Sequence, residues 1–162
     1  VKKYIMPFFN KSEINPNNLT DFIEPLTIIS NVASKYDIEI SLETILTGKE
    51  LLDLLNMLNL DNIKVVYDTG NRVAFGHDLS RDIELLSDNI NHIHIKDKNI
   101  NNDNVILGTG LVNFSDVFQS ITNIHYKGSY VFETTRGRHP LKTAAYNIQL
   151  VDFFIQNSKK NV

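Results

Sequence analysis

IKVVYDTGN, residues 63–71, is an apolar run broken only by Lys64, closed by the acid Asp68 and then by Thr-Gly-Asn. Ile and Val followed by an acid and turn-forming residues read as a short buried strand that ends at Asp68. The same grammar recurs on both sides. YIMPFF (4–9), IEISL (38–42), INHIHI (90–95) and SYVF (129–132) are further short apolar or alternating runs. Between them lie longer amphipathic stretches at 19–36, 48–58, 79–86, 114–121 and 140–156, with apolar residues at helical spacing. Asn17 or Asn18, Asp78 or Ser80, and Asn113 or Ser115 are candidate caps, and Pro140 suits a first-turn position. Five strands, each followed by a helix, predict an α/β fold with a parallel sheet and right-handed crossovers.

A complete (β/α)8 barrel needs roughly 200–250 residues. A chain of 162 residues has room for about five of its units. The chain is expected to form a single domain over 1–162. No linker-like composition shift divides the chain. A partial barrel is expected to leave two sheet edges and an apolar inner face uncovered, and a partner or a homo-oligomer is one way to cover them.

Composition removes several function classes. At 42% hydrophobic and 22% charged the chain is ordinary globular material, which excludes long disorder. Its net charge of −3 gives no basic excess for general nucleic-acid binding. The absence of cysteine excludes disulfides, zinc ribbons, iron–sulfur clusters and thiol catalysis. No stretch approaches the roughly 18 apolar residues of a membrane span. The opening VKKYIMP lacks a signal-peptide core, and a cytoplasmic setting is the expectation. Lys159 and Lys160 read as a solvated tail.

In parallel α/β folds the chemistry collects at the carboxyl ends of the strands. Here those ends deliver Glu43, Asp68, His94 and Glu133 in succession. Three carboxylates and one imidazole form a ligand set for one divalent ion. The oxygen-rich set favours Mn2+ or Mg2+, with Co2+ and Zn2+ as alternatives. Alternation puts His92 and Lys96 on the face of His94, Glu39 and Ser41 on that of Glu43, and Val131 on that of Glu133. A single acid at a strand end is more often a cap or turn residue, and Asp68 before Thr-Gly-Asn also suits an Asx-turn. Coincidence at four consecutive strands is harder to assign to capping. Gly108-Thr109-Gly110 lacks the phosphate-loop pattern and reads as a turn. Arg136, Arg138 and His139 suit either an anion or a solvated loop.

LE (42–43), DTGN (68–71), HIHIKDK (92–98), LGTGLVNF (107–114) and FETTRG (132–137) together resemble the xylose-isomerase-like TIM-barrel superfamily. The match is best to its sugar phosphate isomerase/epimerase branch and covers about Tyr4 to Ile155. The resemblance implies that the chain is a partial (β/α)8 TIM barrel, the C-terminal portion of a barrel, strands four to eight, from a longer enzyme. It implies Glu43, Asp68, His94 and Glu133 as metal ligands. It also implies Glu43 and Glu133 as the catalytic pair that moves a proton beside a carbonyl through a cis-enediolate. His92, Lys96, Asn71 and Arg136 are the expected substrate contacts, with Arg136 assigned to a terminal phosphate. The implied partner is a small sugar or sugar phosphate, with no nucleic acid and no membrane. Departures fall outside the ligand set: Asn71 stands where many relatives have His, Ile100 where many have Arg, and Thr109 where an acid is common. Three alternatives remain at this stage: a related metal-dependent lyase, an apurinic-site endonuclease of the same superfamily, and a non-catalytic truncated barrel. The endonuclease needs more histidines than DTGN and HIHIKD provide.

Overall fold

The computed structural model describes residues 2–159. Its strands are β1 (Lys3–Pro7), β2 (Glu39–Glu43), β3 (Ile63–Asp68), β4 (Ile90–Ile95) and β5 (Ser129–Phe132). They form one parallel sheet in the order β1-β2-β3-β4-β5. The helices are α1 (Ile23–Ser34), α2 (Gly48–Leu58), α3 (Thr69–Ala74), α4 (Leu79–Leu86), α5 (Phe114–Asn123) and α6 (Pro140–Ser158). Sequence order equals spatial order, as successive right-handed βα units require. The result is a half-barrel of five parallel strands, with β1 and β5 at its two edges.

Local chemistry fixes the helix ends. Thr47 and Glu50 form a reciprocal capping box at the start of α2, and Asn59 ends that helix in a left-handed conformation. Asp78 caps α4 and Asn113 caps α5, so Ser80 and Ser115 are not the caps. Pro140 occupies the first turn of α6.

The stretch expected as one helix over 19–36 divides. A short 3-10 turn at Leu19–Phe22 precedes α1. Pro25 lacks an N–H and tolerates only a first-turn position, so the regular helix begins just before it. Asn18 precedes the turn but caps nothing: its side chain instead accepts from the Asn15 N–H and donates to the Glu13 carbonyl. The first strand also ends earlier than its apolar run, at Pro7 instead of Phe9.

The core lies on the convex side of the sheet. Leu42, Val65, Tyr67, Ile93 and Ile95 pack there against Leu51 and Leu54 of α2, Ile83 and Leu86 of α4, and Phe118 of α5. The Phe118 and Phe154 rings stack with centroids 6.0 Å apart. The concave face corrects the expectation of an apolar interior. The register places Lys3, Ile5 and Pro7 beside Glu39, Ser41 and Glu43, and continues across Lys64, Val66 and Asp68 to His92 and His94, then Ser129 and Val131. A register shift between Val65 and Val66 leaves Asn91 as an extra residue in β4. Asn91 turns to the same face, donating to Glu39 (3.0 Å) and accepting from Ser41 (2.9 Å), while its carbonyl accepts from Lys3 (2.6 Å). Polar residues dominate this hollow because the helices, packed on the other side, need the apolar ones.

Candidate metal centre

Each ligand candidate is the last residue of its strand or next to it, so sheet geometry alone gathers them. Glu43 and Asp68 end β2 and β3, His94 is the penultimate residue of β4, and Glu133 follows β5. The Asp68 and His94 positions are direct register partners. One donor atom from each of Glu43, Asp68, His94 and Glu133 lies within 4.8 Å of all the others. His94 Nδ1 stands 3.5 Å from Glu43 Oε1, 3.7 Å from Asp68 Oδ2 and 3.5 Å from Glu133 Oε2.

The donor set fits a divalent ion. Ligands about 2.1 Å from an ion stand about 3.0–3.4 Å apart at adjacent positions, and the three His94 separations exceed this by less than about 1 Å. Two buried atoms, His94 Nδ1 and Asp68 Oδ2, make no well-aligned hydrogen bond in the protein, although Lys96 Nζ stands 3.0 Å from the second. Buried polar atoms normally find partners, and a shared cation would satisfy both. The protein's own cations also balance charge in the cluster. Burial by itself would favour a neutral His94, yet the carboxylates of Asp68 and Glu43 hold its proton and raise its pKa to about 9. Burial would raise the Asp68 pKa, but His94, Lys96 and the Asn71 N–H hold it below the usual carboxylate value. Lys96 Nζ lies 3.0 Å from Asp68 Oδ2 and 2.5 Å from Glu133 Oε2, and these carboxylates raise its pKa against the opposing effect of burial.

The segment after Asp68 organises the neighbourhood. Asp68 Oδ1 accepts the Asn71 N–H at 2.6 Å and caps α3, so this acid is a cap and a member of the cluster at once. Thr69 Oγ1 donates to the Lys96 carbonyl (2.6 Å) and accepts the Lys96 N–H (3.0 Å), tying the end of β3 to that of β4. Gly70 gives room for the Lys96 stem: a Cβ there would stand 2.5 Å from Lys96 Cγ. Asn71 bridges Glu43 and Lys96, at 3.5 and 3.3 Å.

Of the expected substrate contacts, Lys96 and Asn71 adjoin the cluster, and His92 packs edge-on against His94 with ring centroids 5.1 Å apart. Burial and the charge on His94 lower the His92 pKa. Arg136 is exposed on the loop after Glu133, and no contact among the described residues joins it to the cluster. Arg138 and His139 line a separate opening with Ile106, Lys142 and Tyr146. Lys159 is exposed, and Lys160 lies outside the described residues.

Asp97 is a residue that the sequence reading missed. It is fully buried, and its carboxylate accepts four backbone N–H groups, from Lys98 (2.9 Å), Gly108 (3.0 Å), Gly110 (2.8 Å) and Val112 (3.1 Å). It thereby anchors the loop that follows His94. The signal available was an Asp next to a strand end, followed by two closely spaced glycines.

A family model described as xylose isomerase-like TIM barrel matches residues 5–154. The chain belongs to the xylose isomerase-like TIM barrel family. An uncharacterized protein of Methanocaldococcus jannaschii is 25% identical over 143 residues, which are 82% of this chain and 47% of the relative. The chain thus spans about half the length of that curated relative. Among solved structures, a D-tagatose 3-epimerase-like protein superposes with TM-score 0.80 at 18% identity, over 99% of this chain and 64% of that one. An IolI protein with a bound zinc atom superposes with TM-score 0.74 at 19% identity, over 97% of this chain and 62% of that one. At such identities the likeness is one of fold, and it makes this half-barrel part of a TIM barrel architecture. No helix among the described residues is long and apolar enough to cross a membrane.

Proposed function

We propose that this chain carries the metal-binding half of a divalent-metal-dependent isomerase or epimerase acting on a ketose or sugar phosphate, and that its five units correspond to strands four to eight of a complete barrel. The convergence of Glu43, Asp68, His94 and Glu133 from four consecutive strands carries this reading. Family membership supports it, as does the epimerase-like neighbour. These four side chains would hold the ion. Three carboxylates favour Mn2+ or Mg2+, while the zinc of the similar IolI structure keeps Zn2+ in the comparison, with Co2+.

A bound divalent ion supplies Lewis acidity at the substrate carbonyl. The chain's own residues do the rest. Glu43 and Glu133 come from β2 and β5, with β3 and β4 between them, and so flank the centre from opposite sides. In a 3-epimerase one carboxylate takes the proton from the carbon beside the carbonyl and the other returns a proton on the opposite face. Lys96, Asn71 and His92 offer donors and acceptors for substrate hydroxyls. Arg136, on the exposed side, is the group for a terminal phosphate.

The test is metal content after gentle purification, with Mn2+ titration of wild type and Glu133→Gln. One ion per chain, weakened roughly tenfold or more in the variant, supports the reading. It is then extended by following solvent deuterium into ketoses and ketose phosphates. A folded protein that takes up no divalent ion overturns it.

A further inference from the structure

Arg72 is fully buried, an uncommon place for a guanidinium. It sits in α3, four residues after Asp68. Its Nη1 donates to the Leu46 carbonyl at 2.7 Å and lies 3.3 Å from Asp82 Oδ2. Leu46 belongs to the loop that follows Glu43. Asp82, in α4, also accepts the Gly48 N–H at 2.8 Å, at the start of α2. The guanidinium carbon stands 4.6 Å over the Tyr67 ring, and the Tyr67 hydroxyl donates to the Leu79 carbonyl at 3.2 Å. One cation and one carboxylate thus connect the loop after β2, the helix after β3 and the start of α4.

The arrangement is costly as packing. Arg72 Nε and Nη2 are buried without a hydrogen-bond partner in the protein, as is His77 Nδ1, 3.4 Å from Asp82. Unpaired buried donors destabilise, and an apolar side chain of similar volume commonly replaces a buried ion pair without loss. What an apolar residue would not do is bind the Leu46 carbonyl. That bond links the backbone three residues beyond Glu43 to the backbone four residues beyond Asp68.

We propose that Arg72, paired with Asp82, is a positioning residue that locks the loop after Glu43 and the helix after Asp68 into one unit and thereby sets the spacing of these two ligands. This inference rests on the metal-centre reading above. It assigns Arg72 no contact with ion or substrate.

The test compares wild type, Arg72→Gln, Asp82→Asn and a control, Ile121→Val, which opens the core at α5 on the side facing Tyr126 and Tyr130. Two quantities are read: Mn2+ affinity, and amide hydrogen exchange in residues 44–48 and 69–75. In Arg72→Gln, exchange should rise in both segments together and Mn2+ affinity should fall roughly tenfold. The control, destabilised without touching the lock, should keep wild-type affinity and comparable exchange in the two segments. Should Arg72→Gln fail to fold, Asp82→Asn carries the test, because its amide oxygen still accepts the Gly48 N–H. Wild-type affinity in the folded lock variant, or exchange rising in one segment alone, overturns the proposal. A wild type that binds no Mn2+ defeats the proposed function instead, and the exchange data then decide the lock by the same criterion.

Discussion

Lys96 Nζ sits 2.5 Å from Glu133 Oε2 and 3.0 Å from Asp68 Oδ2, so a lysine side chain lies between carboxylates from two different strands. Its ammonium offsets charge that a bound divalent ion would otherwise compensate. Replacing it with Gln leaves Asp68, almost wholly buried, facing Glu133 without that cation. Lys96→Gln should destabilise the metal-free protein by about 1–3 kcal/mol. It should also enlarge the rise in Tm produced by Mn2+ relative to wild type. Thermal unfolding with and without Mn2+ checks both signs, and equal Mn2+ shifts in the two proteins would count against this role.

Gly70 tests the same contact from the other side. In an open helix Gly→Ala stabilises by up to about 1 kcal/mol. Here the new methyl would meet the Lys96 stem at 2.5–2.9 Å. Gly70→Ala should therefore destabilise by about 1–3 kcal/mol through overpacking. Chemical denaturation reads the sign directly, and a stabilised variant would show that Lys96 is free to move aside.

Asp97 makes a prediction about a loop. Its four accepted N–H groups belong to residues 98, 108, 110 and 112. Asp97→Ala leaves these donors without their acceptor, at a cost of about 3 kcal/mol or more. Faster amide exchange across 107–112, compared with β3, is the expected signature. Uniform exchange would place the loop's stability elsewhere.

Asp82 predicts a pH dependence. Burial would raise its pKa, but His77, the Gly48 N–H and Arg72 hold it below the ordinary carboxylate value. A depressed pKa in the folded state means that the stabilisation is complete above the unfolded value, about 3.9, and disappears as pH falls through the folded one. The stability gap between wild type and Asp82→Asn should be constant near neutrality and should shrink below about pH 4. Denaturation curves from pH 3 to 7 measure it, and a gap that widens in acid would contradict the assignment.

The strand ends were legible because parallel topology brings the carboxyl ends of all strands to one side, and Glu43, Asp68, His94 and Glu133 each stand at or next to the end of an apolar run. Alternation likewise predicted that His92 and Lys96 share a face with His94. The six-residue helix α3 was not legible. Thr-Gly-Asn has little helical propensity, and tertiary bonds from α3 to Lys96, Glu43 and Leu46 hold it. Nothing in the sequence marks Arg72 as buried, because its partner Asp82 stands ten residues later and only folding brings the two together. The polarity of the hollow was present in Glu39, Ser41, Lys64 and His92. Assigning the core to the inside of the curve concealed it, because the helices draw the apolar residues outward.

That wet lining bears on how such a barrel can be divided. Splitting a shell usually bares oil, and the pieces stick. Here a cut that exposes the hollow bares Lys3, Glu39, Lys64 and Asn91 to water. The adhesive surfaces left over are on the outer flanks, at Tyr4, Ile28, Val32 and Tyr36 near one edge and at Leu141, Ile148 and Phe153 on α6. Engineering this half-barrel to stay dispersed in water would therefore begin with the flanks and leave the lining untouched.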